Sequence, residues 1–250
     1  MERAELNRVG LVTGASRGIG GEIALRLAEA GFSLTVAARQ QPGVAAMAER
    51  LEKESSAAVQ GVVADMADDD AVANLARAHE ERFDRLDLLV LAAGLGANRP
   101  IADMTAKNWD LPLRVNLRSS FLLINQCLPM LRRTAAANKR YGARVVALSS
   151  LTGVVSEAGF SAYGASKAGL ISLCETLCTE ESPAGVSATA IAPGYVDTDM
   201  TEALRDKLDP SKMITTGDVA EMVLSLTRLS ANAVVPSIVM TRPGRVLWRA

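Results

Sequence analysis

Eight residues near the N-terminus, Thr13-Gly14-Ala15-Ser16-Arg17-Gly18-Ile19-Gly20, restrict the fold of this chain more than any other stretch. They follow the apolar run Val9 to Val12. They precede Gly20 to Ala30, where Ile23, Ala24, Leu27 and Ala28 recur at helical spacing before Gly31. A strand, a glycine-rich turn and a helix in that order let backbone N–H groups and a helix N-terminus approach a pyrophosphate. The turn therefore predicts an α/β chain that opens on a dinucleotide-binding unit.

The remaining sequence is compatible with one such unit. Leu34 to Ala38, Ala57 to Ala64, Asp87 to Leu91, Arg144 to Leu148 and Val186 to Ile191 read as buried strands. Pro42 to Glu54, Thr105 to about Thr134, Phe160 to Glu181 and a segment starting at Gly217 read as helices, with Ala135 to Gly142 as a surface loop. No linker or repeat divides the 250 residues, and 49% hydrophobic content is ample for one core. The expectation is a single-domain Rossmann fold, a doubly wound parallel sheet of about seven strands with helices on both faces.

Several function classes are excluded. With 27 basic and 28 acidic residues intermixed, no basic face suits nucleic acid. Met1 to Glu5 carries no apolar targeting segment, and no uncharged apolar run reaches the ~18 residues that span a bilayer, so no membrane partner is expected. Cys127, Cys174 and Cys178 are odd in number and form no C-x-x-C pair, which suits reduced core thiols in a cytoplasmic chain and no metal site. His79 is the only histidine and sits in a charged stretch, which excludes a Ser-His-Asp hydrolase. A Gly-x-x-x-x-Gly-Lys phosphate loop is absent as well.

The chemistry is concentrated between Ser149 and Lys167. On a helix beginning near Ser161, Tyr163 and Lys167 stand one turn apart on one face. A tyrosine titrates near ~10, and a neighbouring cation stabilises its phenolate, so Tyr163 is expected to have a lowered pKa and to exchange protons near neutrality. Ser149-Ser150 ends the preceding strand, where a hydroxyl can meet a carbonyl, and Ser150 is the preferred member of the pair.

Together these stretches resemble the short-chain dehydrogenase/reductase family, specifically members similar to NADP-dependent 3-oxoacyl-carrier-protein reductases. The resemblance covers nearly the whole chain. The family's Thr-Gly-x-x-x-Gly-x-Gly turn matches Thr13, Gly14, Gly18 and Gly20, and its Tyr-x-x-x-Lys matches Tyr163 and Lys167. Its serine matches Ser150, and its helical asparagine matches Asn116 in Arg114-Val115-Asn116-Leu117. The resemblance implies catalytic roles for Asn116, Ser150, Tyr163 and Lys167, with Asn116 holding a water that joins the lysine to solvent.

It also implies a cofactor site. Gly14, Ser16, Arg17, Gly18, Ile19 and Gly20 would cradle the phosphates, Asp65 and Met66 would meet adenine, and Ala93 and Gly94 would line the strand end. Tyr163 and Lys167 would meet the nicotinamide ribose, while Pro193, Gly194, Val196 and Thr198 would hold the carboxamide. Ala38 stands where NAD-binding members place an acid, and Arg39 and Arg17 can meet a 2′-phosphate, so the expected cofactor is NADP(H). Asp68 or a neighbour reads as a helix cap.

Two positions depart from the family pattern. Ala92 replaces the usual asparagine before Ala93-Gly94, which removes a hydrogen bond between strand ends. The ending Ser237 to Pro243 lacks the Asp-Gly-Gly of fatty-acid ketoreductases and is similar to that of relatives acting on small 3-hydroxy acids. Asp199 to Thr215, with Arg205, Lys207 and Lys212, reads as a substrate lid.

The expected activity is hydride transfer between NADP(H) and a carbonyl or secondary alcohol, on a 3-oxoacyl thioester or another small-molecule substrate. Small 3-hydroxy acids or other ketones are the alternative. A non-catalytic dinucleotide-binding regulatory protein is the rival from another class, and dehydratase or epimerase chemistry is disfavoured by the single-domain length and the form of the glycine turn. The family resemblance implies a homo-oligomer, a tetramer with a dimer as the alternative, joined through the helices carrying Asn116 and Tyr163.

Overall fold

The computed structural model describes residues 8–96, 98–206 and 208–244. Seven parallel strands form one sheet in the order β3-β2-β1-β4-β5-β6-β7. They are β1 (Val9–Thr13), β2 (Ser33–Ala38), β3 (Val59–Val63), β4 (Leu88–Leu91), β5 (Ala143–Leu148), β6 (Val186–Pro193) and β7 (Ser237–Met240). The order reverses between β1 and β4, and the crevice above the carboxyl ends of these neighbours is where an open α/β sheet receives a ligand.

Strand alternation divides the core into two layers. Leu11, Leu89 and Val145 point to one face, under α3 (Asp69–Phe83), α5 (Ser119–Ala137) and α6 (Ser161–Glu181). Their neighbours Val12, Val90 and Val146 point to the other, under α1 (Gly18–Glu29), α2 (Gln41–Glu54) and α7 (Thr216–Arg228). Parallel strands covered on both faces must be apolar throughout, which is why they read as unbroken apolar runs.

Four local expectations require correction. Strand β3 is shorter than Ala57 to Ala64. The helix expected from Thr105 to Thr134 is three consecutive pieces: α4 (Ala106–Pro112), a π-helical segment (Leu113–Arg118) and α5. Pro112 has no N–H to continue the α pattern, and the wider turn follows directly after it. Ala135 to Gly142 is not simply a surface loop: α5 runs to Ala137, and Ala135 and Asn138 are buried. His79, despite charged neighbours in sequence, is fully buried, with Nδ1 2.7 Å from Thr35 Oγ1 and Nε2 3.1 Å from the Arg85 carbonyl.

The three cysteines are buried and free, and burial pushes the Cys127 and Cys174 thiols up to about 12. Among the described residues no cluster could hold a metal ion and no helix is long and apolar enough to cross a membrane. Met1 to Glu5, read above for targeting, lies outside the described residues.

Candidate active site

The glycine turn is built by close approach. Gly14 has φ +65°, and a Cβ there would lie 2.8 Å from the Ala93 backbone; a Cβ on Gly20 would lie 2.5 Å from the Gly14 carbonyl. Only residues without side chains allow β1, the turn and the end of β4 to pack this tightly. Thr13 Oγ1 fastens the same junction by accepting from the N–H groups of Ala92 and Ala93, each at 3.1 Å. Thr13 thus joins the strand ends even though Ala92 offers no polar side chain.

Helix α1 begins in this turn with no side-chain cap and no acidic residue in its first turn. Its N-terminal N–H groups and positive dipole end are left for an acceptor. Helix α2 also lacks a side-chain cap, and its Gly43 approaches Ser16: a Cβ there would lie 3.0 Å from that of Ser16. By contrast, Asp68 caps α3 and Thr215 with Asp218 caps α7. An uncapped glycine turn backed by two uncapped helices fits the phosphates of a dinucleotide.

The two adjacent serines divide in role. Ser149 is buried and donates to the Lys167 carbonyl at 2.8 Å, whereas Ser150 faces the cleft and hydrogen-bonds Tyr163. Thr152 donates to Ser150 Oγ through its hydroxyl at 3.0 Å and its N–H at 3.3 Å. This leaves Ser150 Oγ–H for an external oxygen or for the phenol.

Helix α6 brings Lys167 beneath Tyr163, with Nζ 5.6 Å from the ring centroid. The ammonium is buried and donates to the Leu148 carbonyl at 2.6 Å, and burial lowers its pKa to about 8. The expectation of a lowered tyrosine pKa is not met. Burial raises the Tyr163 pKa and the Ser150 hydrogen bond offsets this only in part. Lys167 is directed at Leu148, so burial prevails over the cation.

Asn116 lies in the π-helical segment and is fully buried. Its Oδ1 accepts from Leu95 N at 2.9 Å, and its Nδ2 donates to Leu95 O at 3.1 Å and Ser166 Oγ at 2.9 Å. Both amide protons are used, so the side chain clamps the segment after β4 and has no donor left for a water. Gly94 separates it from the lysine: a Cβ there would lie 3.3 Å from Asn116 Oδ1 and 3.4 Å from Lys167 Nζ. Ser166, missed in the sequence, links Asn116 to the Tyr163 carbonyl at 2.7 Å; its place between Tyr163 and Lys167 was the available signal.

The other expected cofactor contacts surround this cluster. Arg17 reaches across the cleft to Asp199 at 3.1 Å rather than toward the end of β2, where Arg39 is exposed and has no ion pair among the described residues. Asp65 accepts from Ala67 N at 2.9 Å, stabilising its own turn beside buried Met66. Ile19 is half-buried and packs against the apolar layer beneath α1. Pro193 ends β6, Gly194 N donates to Met240 O, and the Val196 carbonyl accepts from the Thr201 hydroxyl at 2.7 Å and from that of Thr198 at 3.4 Å. Val196 also bridges to Ile214, tying the two ends of the 199–215 segment together. Lys207 of that segment lies outside the described residues.

The model of the family described as short chain dehydrogenase matches residues 8–209. The chain is 36% identical over 207 residues to a 3-oxoacyl-[acyl-carrier-protein] reductase FabG of Staphylococcus aureus, covering 82% of this chain and 80% of that one. Its structure is similar to an alcohol dehydrogenase from the archaeon Thermococcus sibiricus complexed with 5-hydroxy-NADP: TM-score 0.85, 26% identity, 97% of this chain and 98% of the other. It is also similar to a single-residue variant of the actinorhodin polyketide ketoreductase with NADPH: TM-score 0.84, 25% identity, 96% and 97% covered. With its glycine turn and its serine, tyrosine and lysine assembled on the matching elements, this chain belongs to the short-chain dehydrogenase family and is an oxidoreductase of the nicotinamide-dependent kind.

Proposed function

We propose that the protein is an NADP(H)-dependent reductase of carbonyl compounds, with 3-oxoacyl thioesters as its preferred class. The observation that carries this reading is the meeting of Ser150, Tyr163 and Lys167 beside an uncapped, glycine-lined helix N-terminus. A non-catalytic dinucleotide binder has no need of a hydroxyl, a buried phenol and a buried ammonium at one point.

Gly14, Ser16, Gly18, Ile19 and Gly20 hold the cofactor's phosphates, Asp65 and Met66 face adenine, and Ala93 and Gly94 lie beneath. Pro193, Gly194, Val196 and Thr198 orient the carboxamide end. Arg39 at the end of β2, beside Ser16 and the uncapped start of α2, favours a 2′-phosphate. Arg17 joins it on release from Asp199. The bound nicotinamide supplies or accepts the hydride.

Ser150 donates a hydrogen bond to the substrate carbonyl oxygen. Tyr163, kept protonated by burial, gives its proton to that oxygen as charge develops, which suits reduction at neutral pH. Lys167 remains largely cationic below its pKa of about 8 and stabilises the resulting phenolate. Asn116 holds the backbone of Leu95 and, through Ser166, the start of α6.

The thioester preference is supported by similarity to 3-oxoacyl reductases, while the ending Ile238 to Pro243 favours small 3-hydroxy acids as the second reading. The deciding experiment compares kcat/KM for NADPH-dependent reduction of an acetoacetyl thioester with that for NADP-dependent oxidation of a free 3-hydroxy acid. A clear preference for the free acid reverses the order. In assembly, the chain forms a homo-oligomer through α5 and α6, where Phe121 is 50% exposed on α5.

A further inference from the structure

Three loops at the carboxyl edge of the sheet form a closed ring around the approach to Ser150 and Tyr163. The loop after β4 meets the loop before α6 where Arg99 N donates to Gly159 O at 2.7 Å. That loop meets the segment after β6 where the Tyr195 hydroxyl donates to Glu157 Oε1 at 2.8 Å. The segment after β6 returns to the first loop where Met200, 60% exposed, lies 3.7 Å from the Cβ position of Gly96.

Charge on this ring is unevenly fixed. Asp197 is paired with Arg205 at 2.9 Å and Asp199 with Arg17 at 3.1 Å, so each acid has its own cation. Glu157 is held by a neutral phenol and has no ion pair among the described residues. Arg99 contributes backbone to the ring, and its exposed guanidinium has no described anchor, so it can turn to solvent, where its charge is screened. The charge held in place at the entrance is the Glu157 carboxylate.

We propose that Glu157, fixed by Tyr195, determines the charge class of the substrate: it admits compounds that are neutral around the reacting carbonyl and turns away free 3-oxo and 3-hydroxy carboxylates. Glu157 is a specificity-determining residue that leaves the chemistry itself to Ser150 and Tyr163. The inference rests on the carbonyl-reductase reading and extends it by naming why thioesters outrank free acids. A single fixed charge facing a substrate carboxylate across a solvated entrance is worth about five- to tenfold in selectivity at low ionic strength.

The test measures NADPH-dependent kcat/KM for acetoacetate and for its neutral methyl ester, in the wild type and in E157Q, Y195F and R99Q, at low and high salt. The expected wild type prefers the ester, and added salt narrows the gap. E157Q raises the acid-to-ester ratio about five- to tenfold with ester turnover unchanged, and removes the salt dependence. Y195F, which frees the carboxylate, lies between, and R99Q stays within about twofold of wild type. A salt-independent ratio in the wild type overturns the proposal without need of any variant. An unmoved ratio in E157Q, or a larger shift in R99Q, overturns it while leaving the reductase reading intact. Absence of turnover on both compounds overturns the reductase reading and this inference with it.

Discussion

The Ser149 hydroxyl donates to the backbone carbonyl of Lys167 at 2.8 Å, eighteen residues away in sequence and one helix distant in the fold. Two adjacent serines therefore have separable roles. Ser149→Ala is expected to lower stability by about 1–2 kcal/mol through the unsatisfied carbonyl, with kcat close to wild type. Ser150→Ala is expected to keep the stability and lower kcat by about 10²–10³-fold. Denaturant unfolding together with steady-state kinetics on both variants checks the division.

Tyr163→Phe is expected to fold, to bind cofactor and to lose nearly all turnover, because only the proton-bearing oxygen is removed. In the wild type, activity should decline as pH rises past about 8, where Lys167 loses its charge. Retention of most of the kcat by the phenylalanine variant would show that another group donates the proton.

Cofactor choice turns on Arg39. Arg39→Ala is expected to weaken NADP(H) binding by roughly 10- to 150-fold, the equivalent of about 1.5–3 kcal/mol for a charge-assisted contact, while NAD(H) binding stays nearly constant. Fluorescence titration of both cofactors gives the ratio, and equal losses would place Arg39 outside the 2′-phosphate site.

Acid stability should depend on His79. Burial lowers its pKa from 6.5 to about 4 in the folded protein, so between those values the unfolded chain binds the extra proton. The folded state therefore loses stability as pH falls from about 6.5 to 4, by up to about 3 kcal/mol, and the loss levels off below that. Unfolding midpoints across this window should flatten in His79→Gln once other carboxylate effects, common to both proteins, are subtracted.

Assembly should depend on the exposed face of α5. Phe121→Glu is expected to shift the protein to smaller species in equilibrium sedimentation, with the far-ultraviolet circular dichroism unchanged. A wild-type monomer at micromolar concentration would contradict the proposal.

The sheet was legible because each parallel strand is covered on both faces, which leaves apolar runs such as Val9 to Val12 in plain view. The glycine turn and the Tyr163–Lys167 spacing were legible for the same reason: local geometry dictates them. Arg144 was not, since its burial depends on carbonyls of Leu229, Ser230 and Ala233 that approach from far along the chain. The Tyr163 pKa was misjudged because sequence spacing places a cation nearby but says nothing of where that cation points or what covers the phenol. Glu157 and Tyr195 carry no motif, and only the meeting of two loops makes them a pair.

The π-helical segment from Leu113 to Arg118 has a consequence for how this family of chains can vary. Its wide turn holds one residue more than an α-helix would over the same rise, so α4 upstream and α5 downstream are indexed to different faces. Deleting a single residue there would restore regular winding and relieve the local irregularity. It would also rotate one half by about 100° against the other. Either Asn116 would leave Leu95, or Leu123, Cys127 and Leu131 would leave the core. The surplus residue is thus a phase adjuster, and a mutational scan should find the segment tolerant of many replacements yet intolerant of any change in length.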